Sequence, residues 1–400
     1  MSSSYIVGLK CVACDHEQSD ESRVMRCTSC GGFCLAAYNL DQVRRQVDRA
    51  AIRHRKSGLW RFRELLPVRN DANIVTLGEG GTPLLRSQRL GARIGLPNLY
   101  FKDLTRNPTY SFKDYSSSTS VSKAKEIGVP AIVLMSAGNA SSSFAAYCAV
   151  ARVPFHALMV SNTFEGMIIQ NLVYGPNATI VDGNTEAAGK IAGELAARHG
   201  WMNAGVPSNP YRVEGKKVIG FEIAEDLDWQ APDRIVCPTA GGTSIMALYK
   251  GFRELMALGW VDRMPKLDCI QAESCTPVVD AWRTGGAIKS AENPNSIAVG
   301  LLAPNPEAGK FLVDIVNETG GLGEAVSDDN IRNAQLMLAR EEGLFVEPSS
   351  AAALAGLIRA LDNGAVGREE KVVLMLTGSG LKSPEAIAPL LPNAERIATH

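Results

Sequence analysis

One stretch of the chain decides the fold: AIVLMSAGNASSSFAAYCAVARVPFHALMV, residues 131–160. Two apolar runs, AIVLM and FHALMV, flank a helix-like segment that is rich in small residues. The same alternation extends from NLYFKDL at residues 98–104 to KVVLMLTGSG at residues 371–380. Continuous apolar runs that alternate with helices are typical of parallel strands buried on both faces. The sequence therefore predicts an α/β fold built on parallel sheets.

The bulk composition narrows the class of protein. A chain of 400 residues is longer than one ordinary core supports, so two or three domains are expected. The net charge of −1 gives no electrostatic argument for binding nucleic acid or a membrane surface. No apolar run reaches the roughly 18 residues that a spanning helix requires, and the N-terminus lacks a signal-peptide pattern. We therefore expect a cytoplasmic protein.

The N-terminus carries a possible metal site. Two CxxC pairs are separated by twelve residues, and their cysteines are Cys11, Cys14, Cys27 and Cys30. Four thiolates at this spacing are typical of a closed structural zinc site, whose metal would supply the folding energy of a zinc-ribbon-like segment over residues 1–40. The alternative is four reduced cysteines in a turn-rich segment. Cys34 is interpreted as a spare, and the four later cysteines as small buried hydrophobic residues.

A single lysine lies in an unusual setting. In NPTYSFKDYSSS, residues 107–118, Lys113 stands between Phe112 and Asp114 and is surrounded by hydroxyl residues. Most lysines are solvated surface residues, and that is the ordinary interpretation. The functional interpretation is a nucleophilic amine that forms a Schiff base.

Three turns at the predicted ends of strands could bind a ligand. In SAGNASSS, residues 136–143, Asn139 could bond a phenolic oxygen. In TAGGTS, residues 239–244, glycines and hydroxyls at the start of a helix could hold a phosphate. In TGSGLKS, residues 377–383, the hydroxyl of Thr377 could meet a ring nitrogen. Each turn alone is more often ordinary, but all three and Lys113 fit one ligand, pyridoxal phosphate.

The chain resembles the threonine synthase family of fold-type II, tryptophan-synthase-β-like, pyridoxal-phosphate-dependent enzymes. The matching stretches in chain order are LGEGGTPL (77–84), KDLTRNPTYSFKD (102–114), SAGNAS (136–141), NPYRVEGKKVIGFEIAEDL (209–227), PTAGGTSIMALYKGF (238–252), GLFVEPSSAAALAGL (343–357) and LTGSGLKS (376–383). The resemblance implies two parallel-sheet-based α/β domains with the cofactor in the cleft between them. We expect residues 105–205 to form the small domain, and residues 41–104 with 206–400 to form the large one.

The resemblance also implies site residues. It makes Lys113 the catalytic Schiff-base lysine. The implied cofactor contacts are Lys113, Asn139, Ala240, Gly241, Gly242, Thr243, Ser244 and Thr377. The implied substrate contacts are Lys102, Ser136, Ala137, Gly138, Ala140 and Arg212, of which the arginine helps to hold a substrate phosphate. Glu347 and Ser349 lie in a segment that borders the cofactor in this family.

Several positions depart from the family pattern. Tyr110 stands where the family has glycine, and Tyr115 stands where it has arginine. Ala140 replaces a threonine whose hydroxyl is an expected contact to a substrate anion. Ser379 and Ser383 replace histidine and aspartate. The departures leave the cofactor residues in place but weaken the assignment of the substrate.

The implied reaction converts O-phosphohomoserine and water to threonine and phosphate, with Lys113 as general base. A low-dielectric pocket should then depress the pKa of Lys113. Three alternatives stay open: a cysteate synthase-like reaction on phosphoserine, a serine or threonine dehydratase-like reaction, and a catalytically dead zinc-ribbon binding protein. The expected partner is a small, phosphorylated amino-acid substrate, with no nucleic acid and no membrane, and the fold resemblance suggests a homodimer.

Overall fold

The computed structural model describes residues 4–136, 138–160, 164–183 and 185–392. The N-terminal segment forms an antiparallel sheet of β1 (Ile6–Cys11), β2 (Glu17–Gln18) and β3 (Cys34–Tyr38), in the order β2-β1-β3. All nine cysteines are free, and the four beyond residue 40 are buried as expected.

A broken helical connector follows this sheet. It consists of α1 (Leu40–Gln46), α2 (Arg49–Arg53) and two 3₁₀ helices, Leu59–Leu65 and Asp71–Asn73. The side chain of Asp48 accepts a hydrogen bond from the N–H of Ala50 and caps α2, so a new helix begins there.

The predicted strand-helix-strand unit at residues 131–160 is confirmed. The preceding segment forms β4 (Leu84–Arg86), α3 (Leu90–Arg93), β5 (Leu99–Asp103), a 3₁₀ helix (Leu104–Arg106) and α4 (Lys113–Glu126). The next segment forms β6 (Ile132–Met135), α5 (Asn139–Ala151), β7 (Phe155–Met159), α6 (Glu165–Leu172), β8 (Asn177–Ile180), α7 (Thr185–His199) and β9 (Met202–Asn203). Its four strands form a parallel sheet in the order β8-β7-β6-β9.

The rest of the chain completes a larger sheet. Its elements are α8 (Tyr211–Asp226), β10 (Arg234–Pro238), α9 (Thr243–Ala257), β11 (Lys266–Ala272), α10 (Pro277–Thr284), a 3₁₀ helix (Val299–Leu301), α11 (Gly309–Glu318), β12 (Gly323–Val326), α12 (Asp328–Glu342), α13 (Pro348–Asp362), β13 (Val372–Leu376) and three short 3₁₀ helices (Gly380–Lys382, Pro384–Ala386 and Ala388–Leu390). The sheet order is β12-β11-β10-β13-β5-β4, and only β4 runs antiparallel to its neighbour. Every residue of β10 and β13 is buried, which explains their continuous apolar runs.

Helix α8 is the central helix of the fold. It packs against α4 on one side and α9 on another, and its residues from Tyr211 to Glu225 are all buried. A Cβ at Gly215 would lie 1.8 Å from the backbone oxygen of Tyr115, so only glycine permits this approach of α8 to α4. This packing holds the polar side chains of α8, including Arg212 and Lys216, in the interior. Within the described ranges, no helix is long and apolar enough to cross a bilayer.

Candidate active site

Lys113 is the first residue of α4. The preceding N–H, that of Phe112, donates a hydrogen bond of 2.9 Å to the backbone oxygen of Thr377. This contact joins the start of α4 to the carboxyl end of β13. The Nζ atom of Lys113 lies 4.2 Å from the centroid of the Phe112 ring. Two motifs that are far apart in the sequence therefore meet at one place.

Burial controls the proton on Lys113. The pKa of this amine is lowered from 10.5 to about 7: burial is the largest cause, the charge of Arg212 acts in the same direction, and the carboxylate of Glu347 opposes both. The neighbouring Asp114 faces elsewhere: it accepts hydrogen bonds from the N–H of Thr109 (2.7 Å) and the hydroxyl of Ser143 (2.5 Å). The expected depression of the lysine pKa is thus present, and Glu347 is the acid that acts on it.

Asn139, Glu347 and Thr377 form one hydrogen-bonded group. The Nδ2 atom of Asn139 donates to Oε2 of Glu347 at 2.7 Å, and the Thr377 hydroxyl lies 3.5 Å from Oε1 of the same carboxylate. The Thr377 hydroxyl also lies 2.9 Å from that of Ser350. The Oδ1 atom of Asn139 is buried and has no hydrogen-bond partner among the described residues. It is available to a ligand, since buried polar atoms are normally paired.

The glycine loop leads from β10 into α9. It contains the predicted phosphate contacts, Ala240, Gly241, Gly242, Thr243 and Ser244. Gly242 has a φ of +79°, and a Cβ there would lie 2.2 Å from a methyl group of Leu312. Glycine is therefore required for the loop to turn into the helix. The first N–H groups of α9 have no acceptor within the helix, so they can hold an anion.

Two buried cations project from α8 toward this region. Lys216 donates through Nζ to Oγ1 of Thr243 at 2.6 Å. Arg212 donates through Nη1 to the backbone oxygen of Ala204 at 2.7 Å, and its buried Nε has no partner among the described residues. Burial lowers the pKa of Arg212 to about 10. No carboxylate of the described chain lies within 4.0 Å of the charged nitrogens of Arg212, Lys216 or Lys113. The arrangement suits anionic ligands.

The other predicted substrate contacts divide into two groups. Ser136, Gly138 and Ala140 flank Asn139 at the junction of β6 and α5. Ala137 lies outside the described residues. Lys102, in contrast, is fully buried in β5 and is not brought to the group around Lys113.

The contacts of Lys102 correct the prediction that it binds substrate. Its Nζ donates to the backbone oxygen of Thr82 at 2.6 Å and lies 2.9 Å from Glu222 and 3.3 Å from Asp226. This ammonium is neutralised and hydrogen-bonded by internal partners. It serves the packing of β5 against α8 instead of a ligand.

Two lysines of the site escaped the sequence analysis. Lys216 follows Arg212 by four residues and therefore shares its helical face, a signal that was present in the sequence. Lys382 donates to Oε1 of Gln170 at 2.6 Å and to the backbone oxygen of Thr109 at 2.9 Å, and burial lowers its pKa to about 8. It ties α6 to the segment after β13, a contact that no periodicity predicts.

The departures at Tyr110 and Tyr115 have different settings. Tyr110 has a φ of +62°, and its side chain is exposed. Its backbone oxygen accepts a hydrogen bond from the N–H of Ser379 at 3.0 Å, which places it beside the Thr377 motif. Tyr115 is buried and donates through its hydroxyl to Glu222 at 2.8 Å. Tyr110 therefore adjoins the Thr377 motif, whereas the side chain of Tyr115 lies in the core.

The four N-terminal cysteines form a compact group. The sulfur atoms of Cys11, Cys14, Cys27 and Cys30 all lie within 4.8 Å of one another. Backbone N–H groups two residues after Cys11 and Cys27 point at their sulfur atoms at 3.4 Å. Such knuckles with four converging thiols fit a tetrahedral metal ion. Cys34 is not part of the group; it lies opposite Cys11 where β3 pairs with β1.

Sequence comparison gives matches over most of the chain. The family described as pyridoxal-phosphate dependent enzyme matches residues 75–378. A threonine synthase of Methanocaldococcus jannaschii is 37% identical over 381 residues, which cover 94% of this chain and 93% of that protein. A threonine synthase of Methanosarcina acetivorans is 38% identical over 383 residues, which cover 95% and 93%.

Structural comparison gives the same fold. Maize serine racemase matches with a TM-score of 0.67 and 19% sequence identity, over 77% of this chain and 91% of that chain. At this identity the likeness concerns the fold alone. It fits the four-stranded parallel sheet and the six-stranded, mostly parallel sheet described above.

Proposed function

The chain belongs to the fold-type II pyridoxal-phosphate-dependent enzymes and is a threonine synthase-like lyase, and from this premise we propose that it converts O-phosphohomoserine and water to threonine and phosphate. The observation that carries the substrate assignment is Arg212. It is a buried guanidinium for which the described residues supply no carboxylate and no partner for Nε, one helical turn from Lys216. A buried cation of this kind requires an anion, and the substrate supplies one as its phosphate.

The residues present fit pyridoxal phosphate. The glycine loop and the start of α9 would hold its phosphate, the Asn139 amide N–H that does not face Glu347 would donate to its phenolic oxygen, and Thr377 would face its ring nitrogen. Lys113 would hold its aldehyde carbon. When bound, the group supplies an aldehyde for an amine and a ring that delocalises negative charge.

The protein's own residues would then move the protons. An amine with a pKa of about 7 is partly neutral at physiological pH, so Nζ of Lys113 can take the proton from Cα of the substrate. The same nitrogen would remove the Cβ proton. Phosphate leaves Cγ with its bridging oxygen, and Arg212 stabilises the negative charge of that leaving group. Water adds at Cβ, and protons return to Cα and Cγ, which balances the reaction.

A second reaction is favoured by one observation. Ala140, in the first turn of α5, carries no hydroxyl for a substrate anion. A shorter substrate, O-phosphoserine in a cysteate synthase-like replacement, would place its phosphate differently and still meet Arg212. This alternative stays within the same family of enzymes.

We further propose that the four-cysteine group binds a structural zinc ion. The support is the convergence of its four sulfur atoms. The division into a small domain of residues 105–205 and a large domain of residues 41–104 and 206–400 remains a proposal, as do a homodimer and a cytoplasmic location.

The test is direct. Purified protein loaded with pyridoxal phosphate is given O-phosphohomoserine, and released phosphate and the amino-acid product are quantified together. Equimolar phosphate and threonine would support the proposal, whereas turnover of O-phosphoserine alone would favour the second reaction. Lys113→Ala should abolish turnover, and the matched surface variant Lys310→Met should retain it because Lys310 is exposed.

A further inference from the structure

Lys216 differs from the other buried lysines of the fold. It is fully buried in α8, and its Nζ donates to the hydroxyl of Thr243 at 2.6 Å. The adjacent Lys217 is equally buried but lies 2.7 Å from Glu214 and 2.8 Å from Glu254. Lys216 has no such carboxylate among the described residues. Of the two lysines of α8, Lys216 is the one whose amine meets no acidic side chain in the described part of the chain.

The surroundings of Lys216 make this charge costly. Burial lowers its pKa well below 10.5, and the positive charges of Lys113 and Arg212 lower it further. Three basic side chains thus share one interior region, where their positive charges repel one another. A buried cation without a counter-ion destabilises a fold, so the arrangement is favourable only when an anion enters the region.

The position of Thr243 identifies where that anion lies. Thr243 is the first residue of α9. It directly follows Gly242, the N-cap residue, which has a left-handed backbone conformation. The first N–H groups of α9 and the Nζ atom of Lys216 therefore converge on the same end of the helix. A helix start and an ammonium together form a site for a phosphate monoester.

We propose that Lys216 is the side-chain counter-ion of the cofactor's phosphate at the start of α9, which leaves Arg212 for the phosphate of the substrate. The two cations are four residues apart on one helical face, so they are separated by about 6 Å along the axis. Lys216 contacts Thr243 at the end of the glycine loop. Arg212 instead contacts Ala204, and its guanidinium carbon lies 5.7 Å from the centroid of the Phe144 ring in α5.

The role of Arg212 in this assignment rests on the proposed function, because it concerns the phosphate of the proposed substrate. The consequence of the assignment for the cofactor is independent of which amino acid is turned over. Lys216 should contribute to the affinity for pyridoxal phosphate but not to the affinity for pyridoxal, which lacks the phosphate.

The experiment compares both compounds on the apoprotein. Kd values of pyridoxal phosphate and pyridoxal are measured by fluorescence titration for the wild type, Lys216→Met, Lys216→Arg and the surface control Lys310→Met. Lys216→Met should weaken pyridoxal phosphate by about 10- to 100-fold, as for loss of a charge-assisted hydrogen bond, and leave pyridoxal within about twofold. Lys216→Arg should recover part of the affinity, and the control should match the wild type.

Two results would overturn the assignment. Equal weakening of both compounds would show a merely structural role for Lys216. An unchanged Kd for pyridoxal phosphate with a raised KM for O-phosphohomoserine would assign Lys216 to the substrate instead.

A second measurement avoids dependence on the cofactor titration. Inorganic phosphate should raise the Tm of the wild-type apoprotein and should raise that of Lys216→Met much less. An equal rise in both proteins would contradict the assignment. Neither measurement depends on product formation, so a failure of the proposed reaction would be seen separately.

Discussion

The amide of Asn139 donates a hydrogen bond of 2.7 Å to the carboxylate of Glu347, and this contact joins the helix after a strand of the four-stranded sheet to the helix before a strand of the six-stranded sheet. Asn139 begins α5, and Glu347 directly precedes α13. Burial raises the pKa of Glu347, while its hydrogen bond from Asn139 and the charges of Lys382 and Lys113 lower it. Glu347 is therefore an acid that faces the buried amines of Lys113 and Lys382, and its negative charge favours the protonated form of Lys113.

The depressed pKa of Lys113 predicts a pH-dependent effect on stability. The unfolded lysine binds its proton up to pH about 10.5 and the folded one only up to about 7, so between these values the unfolded state holds more protons. The wild-type apoprotein is then penalised most below pH about 7, and the penalty fades as the pH rises. Lys113→Met should be more stable than the wild type near neutral pH, with a difference that shrinks toward pH about 10.

Urea unfolding of the apoproteins across this pH range measures the difference. Lys310→Met serves as control, because that exposed lysine pairs with Asp314 at the surface. Its effect on stability should be small and nearly independent of pH. If Lys113→Met behaved like this control, the amine of Lys113 would titrate as an ordinary lysine and could not act as a base near neutrality.

The backbone of Tyr110 is strained, and variants of this residue can distinguish the effect of that strain on stability from a contact of its ring with substrate. A φ of +62° is left-handed, and a residue with a Cβ is disfavoured there by roughly 1 kcal/mol. Tyr110→Gly should therefore raise the free energy of unfolding by up to about 1 kcal/mol, and Tyr110→Ala, which keeps the Cβ, should not. Thermal unfolding of both variants tests this.

The same two variants report on the substrate. Both remove the aromatic ring, so a contact of that ring with substrate would change the KM of both variants alike. A gain of stability in Tyr110→Ala equal to that in Tyr110→Gly would contradict the strain argument.

The cysteine group predicts one metal ion per chain. Metal analysis of the purified protein should give about one zinc per chain. Cys11→Ser should lose this zinc and have a lower free energy of unfolding, because the metal supplies folding energy that so short a segment cannot gain from apolar burial. Cys34→Ala is the matched control, because Cys34 is buried beside Cys11 and is not part of the group. Retention of zinc in Cys11→Ser would disprove the ligand set.

The N-terminal segment is also tied to the helix that begins with Lys113. Asp20 is buried between Arg69 and Lys123, each 2.7 Å from its carboxylate, and Lys123 belongs to α4. Burial opposes ionisation of Asp20, but the hydrogen bonds and charges of these two residues give a net lowering of its pKa. Asp20→Asn removes the carboxylate that the two cations share and leaves Lys123 with Glu126 at 2.8 Å and Arg69 with Glu21 at 3.7 Å. It should cost about 2 kcal/mol of unfolding free energy.

The sign of the pH dependence checks this prediction. A carboxyl group with a lowered folded pKa stabilises the fold above its unfolded pKa of about 3.8 and loses that effect as the pH falls through the folded value. The stability gap between wild type and Asp20→Asn should hold at neutral pH and close only below pH about 4. A gap that closed near neutrality would point to a different group.

The sequence supports some of these features better than others. The unit at residues 131–160 is predictable because its strands are buried on both faces and are therefore continuously apolar. Helix α8 is harder to recognise, since its polar residues are buried and it shows no apolar stripe. Buried ion pairs such as Lys217 with Glu214 replace the apolar contacts on which periodicity depends.

The site shows the same limit. The loop motifs around Lys113, Asn139 and Thr377 can be found from the sequence because each lies at a predicted strand end, where α/β proteins bind ligands. The combination of the three motifs is more specific than any one of them. The role of Lys102 could not be judged from its motif, because its partner Glu222 lies far along the chain. Long-range pairing of charges is not encoded in local spacing.

The central claim is tested most directly by the fate of solvent oxygen. The holoenzyme is incubated with O-phosphohomoserine in ¹⁸O-labelled water, and both products are analysed by mass spectrometry. Elimination of phosphate from Cγ and addition of water at Cβ predict one ¹⁸O in threonine and none in phosphate. Labelled phosphate with unlabelled homoserine would show simple hydrolysis of the phosphate ester and would contradict the account.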